Sequence, residues 1–154
     1  MSSTLFLGIG NTLLSDEGIG VHVIEYLALH FAEVAGATYL DGGTLSFTLA
    51  EPIARHQNLI VIDAARLNSA PGTIKTLVGT EMDKYLVGNR ESVHEVGLMD
   101  LLDIARLSDT YPHRLALIGI QPERVDWGES PTPAVAAAIP AAAEAALLLH
   151  RSWC

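Results

Sequence analysis

Thr4 to Ala32 reads TLFLGIGNTLLSDEGIGVHVIEYLALHFA, and two hydrophobic periods follow one another inside it. Thr4 to Gly8 is a short apolar run, the pattern of a strand covered on both faces. Beyond it, Gly20, Ile24, Leu27 and Phe31 recur at helical spacing while His22 and Glu25 fall on another face. Gly18 to Ala32 is therefore predicted to be an amphipathic helix. A strand feeding a helix through a glycine-containing loop is half of a βαβ unit, and the rest of the chain repeats the alternation. Further strands are predicted at Thr38 to Leu40, Asn58 to Ala64, Thr73 to Val78 and Arg114 to Ile120. Thr44 is predicted to cap a second helix, which Pro52 kinks or shortens. Ser92 and Glu95 form a capping box for a third helix starting at Val93. Thr132 before Pro133 opens the last helix, running to about Trp153. The expected fold is α/β: a twisted, mostly parallel five-stranded sheet with helices on both faces, three αβα layers in one domain spanning 1–154.

Composition agrees with one globular domain. The 154 residues are 49% hydrophobic, 18% charged and 6% aromatic, and a chain of this length buries roughly two-thirds of its unfolded surface without disulfides or a structural metal. The single cysteine, Cys154, excludes a disulfide framework or CxxC motif and makes a reducing compartment, the cytoplasm, the expectation. Nine Lys plus Arg stand against 18 Asp plus Glu, a net charge of −9, which disfavours nucleic acid and anionic membranes as partners. No Lys or Arg precedes Arg55, so the first third is uniformly acidic. The N-terminus lacks the basic region of a signal peptide. The Ala-rich stretch Ala134 to Leu149 contains Pro140 and Glu144 and is shorter than the ~20 residues a bilayer needs, so a packed surface helix is expected there.

In a doubly wound sheet, chemistry collects beyond the carboxyl ends of the strands. The first strand runs into Gly8-Ile9-Gly10-Asn11 and then Asp16-Glu17-Gly18, the second ends on Asp41-Gly42-Gly43-Thr44, and the third on Asp63-Ala64-Ala65. Gly8-x-Gly10 invites a dinucleotide reading, but the third small residue of that fingerprint is Leu13, and Asp16 and Glu17 would repel phosphate. Asp16-Glu17 at a helix start has a plain reading, a favourable interaction with the helix dipole. Convergence argues for more, because Glu17, Asp41 and Asp63 reach one edge without a basic neighbour in sequence and so call for a cation. His94, at a helix start where protonation is disfavoured, offers a nitrogen lone pair. Two carboxylates and an imidazole suit a divalent transition ion such as nickel, zinc or manganese, with positions left for substrate or water. H-E-x-x-H and G-x-S-x-G are absent, which removes zincin and serine-hydrolase chemistry. His22, His30, His56, His113 and His150 lack metal-like spacing and are expected to be solvated.

Gly8-Ile9-Gly10-Asn11-Thr12-Leu13-Leu14-Ser15-Asp16-Glu17-Gly18-Ile19-Gly20, Asp41-Gly42-Gly43-Thr44, Ile62-Asp63-Ala64 and His94-Glu95-Val96-Gly97-Leu98 together resemble the nickel-iron hydrogenase maturation endopeptidases. The resemblance continues through Ile118-Gly119-Ile120-Gln121-Pro122-Glu123 and Thr132-Pro133, whereas Gly79 to Glu91 and the tail after Ala134 match no motif. It implies an enzyme that makes one cut near the C-terminus of the hydrogenase large-subunit precursor once nickel has been inserted. It also carries over Glu17, Asp63 and His94 as metal contacts, with Asp41 of the DGGT motif nearby. Glu17, Asp41 and Asp63 are thus the candidate catalytic residues, and Asp41 or Glu17 the candidate general base. The ion is either the protein's own or the nickel already seated in the precursor; the second suits a protease that cuts only metallated substrate. Zinc or cadmium are expected as substitutes in crystals. The precursor is the expected partner and a monomer the expected state. Two rivals remain, a non-catalytic nickel-binding assembly factor and a nucleotide-binding regulator.

Overall fold

The computed structural model describes residues 3–89 and 93–154, the side chains of 93–96 excepted. Five strands, β1 (Thr4–Ile9), β2 (Ala37–Gly43), β3 (Asn58–Ala64), β4 (Ile74–Val78) and β5 (Arg114–Ile120), form one sheet in the order β2-β1-β3-β5-β4. All neighbours run parallel except β4, which pairs antiparallel with β5 at the edge. The central strands are buried along nearly their whole length because helices cover both faces.

Alternation along each strand divides the core in two. Leu5, Leu7, Leu59, Val61 and Leu117 face a layer built from α2 (Ala50–Arg55), α3 (Thr80–Gly88) and α4 (Val93–Leu107). Phe6, Ile60, Ile62, Ile118 and Ile120 face α1 (Ile19–His30), α5 (Pro133–Ala136) and α6 (Ile139–Trp153). The expected three-layer architecture is what the chain adopts.

Several local expectations are corrected. Thr44 caps nothing: a 3-10 turn at Phe47–Leu49 comes first, and α2 begins at Ala50 with Pro52 inside its first turn, where a missing N–H costs nothing. The stretch left without assignment forms α3. The helix expected from Pro133 to Trp153 is broken, because Pro140 near the start of α6 lacks the N–H that would continue α5. By length and composition Pro133–Trp153 is apolar enough to cross a membrane, but Ala142, Ala143, Ala146 and Leu147 pack into the core. Helix α4 starts at Val93 as predicted, while Ser92 of the proposed capping box lies outside the described residues.

His150 is buried, not solvated. Its Nε2–H donates to the carbonyl of Ala35 at 2.9 Å and its Nδ1 accepts from the hydroxyl of Thr4 at 2.8 Å, while Asn58 Nδ2 donates to the same hydroxyl at 3.3 Å. His56 Nδ1 bonds the carbonyl of Pro52 at 2.7 Å, and His22 Nε2 is also buried. Helix packing overrides the hydrophilicity of these rings, which polar partners then satisfy at His56 and His150.

Candidate active site

The carboxyl ends of β1, β2, β3 and β5 meet at one edge, and specific contacts lock them there. Gly10 takes φ 141°, a conformation open to glycine, and a Cβ on it would overlap the carbonyl of Glu17. Its N–H donates to the carbonyl of Gly43 at 2.8 Å, tying the β1 loop to the end of β2. Gly20 lies so close to β3 that a methyl there would overlap the carbonyl of Ile62. The turn carrying Glu17 is thereby held against the end of β3, where Asp63 is next in sequence.

Glu17 sits in a 3-10 turn, Ser15–Gly18, just before α1, and is half-buried. Asp63 is 4% exposed, in β3 opposite Gly119 of β5. Asp41 is exposed, pairs in register with Gly8, and accepts the N–H of Gly43 at 2.8 Å in a tight turn that fixes its carboxylate. His94 lies in the first turn of α4, and its side chain is outside the described residues. Gly97, one turn on, faces Leu45: an added Cβ would stand 3.1 Å from Leu45 Cδ1, so α4 packs on the loop that follows Asp41. The structure therefore brings together the segments bearing Glu17, Asp41 and Asp63. Among the described residues no cluster of three metal-ligating side chains occurs, and the proposed triad includes His94.

Beside Glu17 opens a cleft of about 420 Å³, lined also by Arg66, Tyr85, Asn89, Gln121 and Val125. Neither Asp41 nor Asp63 lines it. A smaller cavity, about 300 Å³, lies between the loop after Asp41 and α4, lined by Leu45, Phe47, Gly97 and Asp100. Leu45 there takes φ 66°, a strained conformation for a branched side chain.

Asp16, read from sequence as a helix-dipole partner, is completely buried. Its carboxylate accepts the N–H groups of Glu123 and Arg124 at 2.9 Å each and of Thr132 at 2.6 Å, and the Thr132 hydroxyl lies 2.8 and 3.1 Å from its two oxygens. Burial by itself would raise its pKa, but these hydrogen bonds outweigh burial and hold the carboxyl below the usual aspartate value. The dipole reading of Asp16 is thus replaced by a long-range one. Thr132 likewise spends its hydroxyl on Asp16 and not on capping α5. No local pattern announces a bond between residues 116 apart; the only hint was that Thr132-Pro133 recurred in the resemblance.

The comparisons agree with this geometry. A model of the hydrogenase maturation protease family, HycI, matches residues 21–148. The chain is 40% identical over 150 residues to the hydrogenase expression/formation protein HupD of Rhizobium leguminosarum bv. viciae, covering 97% of this chain and 74% of that one. To the hydrogenase 2 maturation protease of Escherichia coli strain K12 it is 38% identical, over 96% of this chain and 90% of that one. Among solved structures, the hydrogenase maturating endopeptidase HybD from Escherichia coli superposes with a TM-score of 0.90 at 36% identity, covering 97% of this chain and 93% of its own. With the fold and these relatives in accord, the chain belongs to the hydrogenase maturation protease family.

Proposed function

We propose that this protease removes the C-terminal extension of the hydrogenase large-subunit precursor in a single cut, and that it recognises the nickel the precursor already holds through Glu17, Asp63 and His94. The observation that carries the reading is the close approach of Gly20 to Ile62, which holds the turn of Glu17 against the end of β3 where Asp63 lies. The packing of Gly97 on Leu45 sets α4, whose first turn carries His94, against the loop that follows Asp41. Two carboxylates and an imidazole fit a borderline divalent ion and leave positions for other ligands.

Each residue has a separate task. Glu17, from the turn before α1, and Asp63, from a central strand, would hold the ion, and His94 would complete the set from α4. An ion held by these residues would supply Lewis-acid chemistry, polarising the scissile carbonyl and acidifying water. Asp41 stands outside the metal set at the same edge, its Oδ1 fixed by Gly43, and either it or Glu17 would take the proton from the attacking water. Nickel is then first a mark of the correct substrate and second a Lewis acid, and the protease carries no metal of its own; zinc or cadmium would occupy the same ligands as substitutes.

The test is to incubate the protein with nickel-loaded precursor and follow the precursor's mass. One loss from its C-terminus is expected. Nickel-dependent association with the mass unchanged would make the protein an assembly factor instead.

A further inference from the structure

We propose that Asp16 is a positioning residue for cleavage: through four donor groups it holds the segment 121–132 as the substrate-facing wall of the cleft beside Glu17. The segment joins β5 to α5 and contains no helix or strand, so its backbone needs outside partners to keep one shape. Asp16 supplies more of them than any other single residue. The N–H groups of Glu123, Arg124 and Thr132 and the hydroxyl of Thr132 all point at its carboxylate. The Asp16 N–H in return donates to the carbonyl of Arg124 at 3.0 Å.

The neighbouring residues zip the same two loops together. Ser15 N–H donates to Gly128 O at 2.8 Å, Gly128 N–H to Leu13 O at 2.9 Å, and Ser15 Oγ to the carbonyl of Asp126 at 2.8 Å. Hydrogen bonds to an ionised, fully buried carboxylate are among the stronger kinds, so the wall is built in advance of substrate. Gln121, Pro122, Glu123 and Val125 of that segment line the cleft with Glu17, while Asp16 has no exposed surface and touches no substrate. One carboxylate thus sets the distance between the wall that receives the precursor chain and the adjacent Glu17, and preorganisation of this kind acts on substrate binding.

The inference rests on the proteolytic reading above, and wild-type cleavage of nickel-loaded precursor is the control that separates the two. Asp16→Asn and Thr132→Val are assayed by steady-state cleavage at temperatures where thermal unfolding shows both folded. Thr132→Val removes the hydroxyl and keeps the backbone N–H, so it reports even if Asp16→Asn fails to fold. KM is expected to rise about tenfold in Asp16→Asn and about threefold in Thr132→Val, as lost charge-assisted bonds would give, with kcat changed less than about threefold. Amide exchange of residues 121–132 should quicken in both. Unchanged KM in folded variants, or a large fall in kcat with KM intact, would overturn the inference while leaving the protease reading in place. Failure of the wild type to cut would overturn that reading and the inference with it.

Discussion

Asp16 shows how much can hang on one side chain. Its folded pKa lies below the ordinary 3.8 because the Glu123, Thr132 and Arg124 N–H groups outweigh the cost of burying the charge. A depressed carboxyl contributes stability that is complete above the unfolded value and lost as pH falls through the folded one. The wild type should therefore lose stability as pH drops below about 4, and Asp16→Asn should show a flatter acid limb in chemical unfolding followed against pH; identical limbs would deny Asp16 this role. Glu17 and His94 present the opposite case. They sit on a turn and at a helix start, where ligands generally add little to a core, so Glu17→Gln and His94→Ala should keep the wild-type melting temperature within a few degrees. Cleavage should nevertheless fall by more than the roughly hundredfold typical of outer-shell changes around a metal. Loss of cleavage accompanied by a collapsed melting temperature would make them structural residues.

Among the elements, those that could be read from sequence are the ones whose periods are set by burial on both faces. β3 was placed at Asn58 to Ala64 and β5 at Arg114 to Ile120, the same bounds as observed, because central strands of a parallel sheet are continuous apolar runs. β2 was read as three residues and extends to seven, since an edge strand is only half-covered and its pattern is weak. Helix α3 carries Met82, Tyr85 and Leu86 at helical spacing, but with only two fully buried side chains its pattern is weak. The site divides in the same way. The acids at strand ends could be placed by position alone, whereas the clamp of Asp16 depends on where β5 and α5 come to lie. At this scale one tight junction is α1 against β3. Gly20→Ala would drive a methyl into the carbonyl of Ile62, and should lower unfolding free energy by about 3 kcal/mol, the upper range for overpacking. Equilibrium denaturation checks it, and a cost near zero would mean that α1 can shift without loss.

For the whole molecule, the acidity of the chain and the mildness of its candidate metal site belong together. A net charge of −9 attracts cations weakly and broadly, while the proposed ligands come from three separate elements and not from a compact local motif such as H-E-x-x-H. A site of that kind would sample ions without retaining them. If the ion arrives in the precursor, binding energy becomes available only when it is present, and selectivity is built into complex formation. The most direct measurement places nickel-loaded and nickel-free precursor side by side with the metal-stripped protease and follows both by intact mass. The account predicts one C-terminal loss from the loaded precursor and none from the other. Equal cleavage of the nickel-free precursor, or activity that appears only after zinc is loaded into the protease, would contradict it.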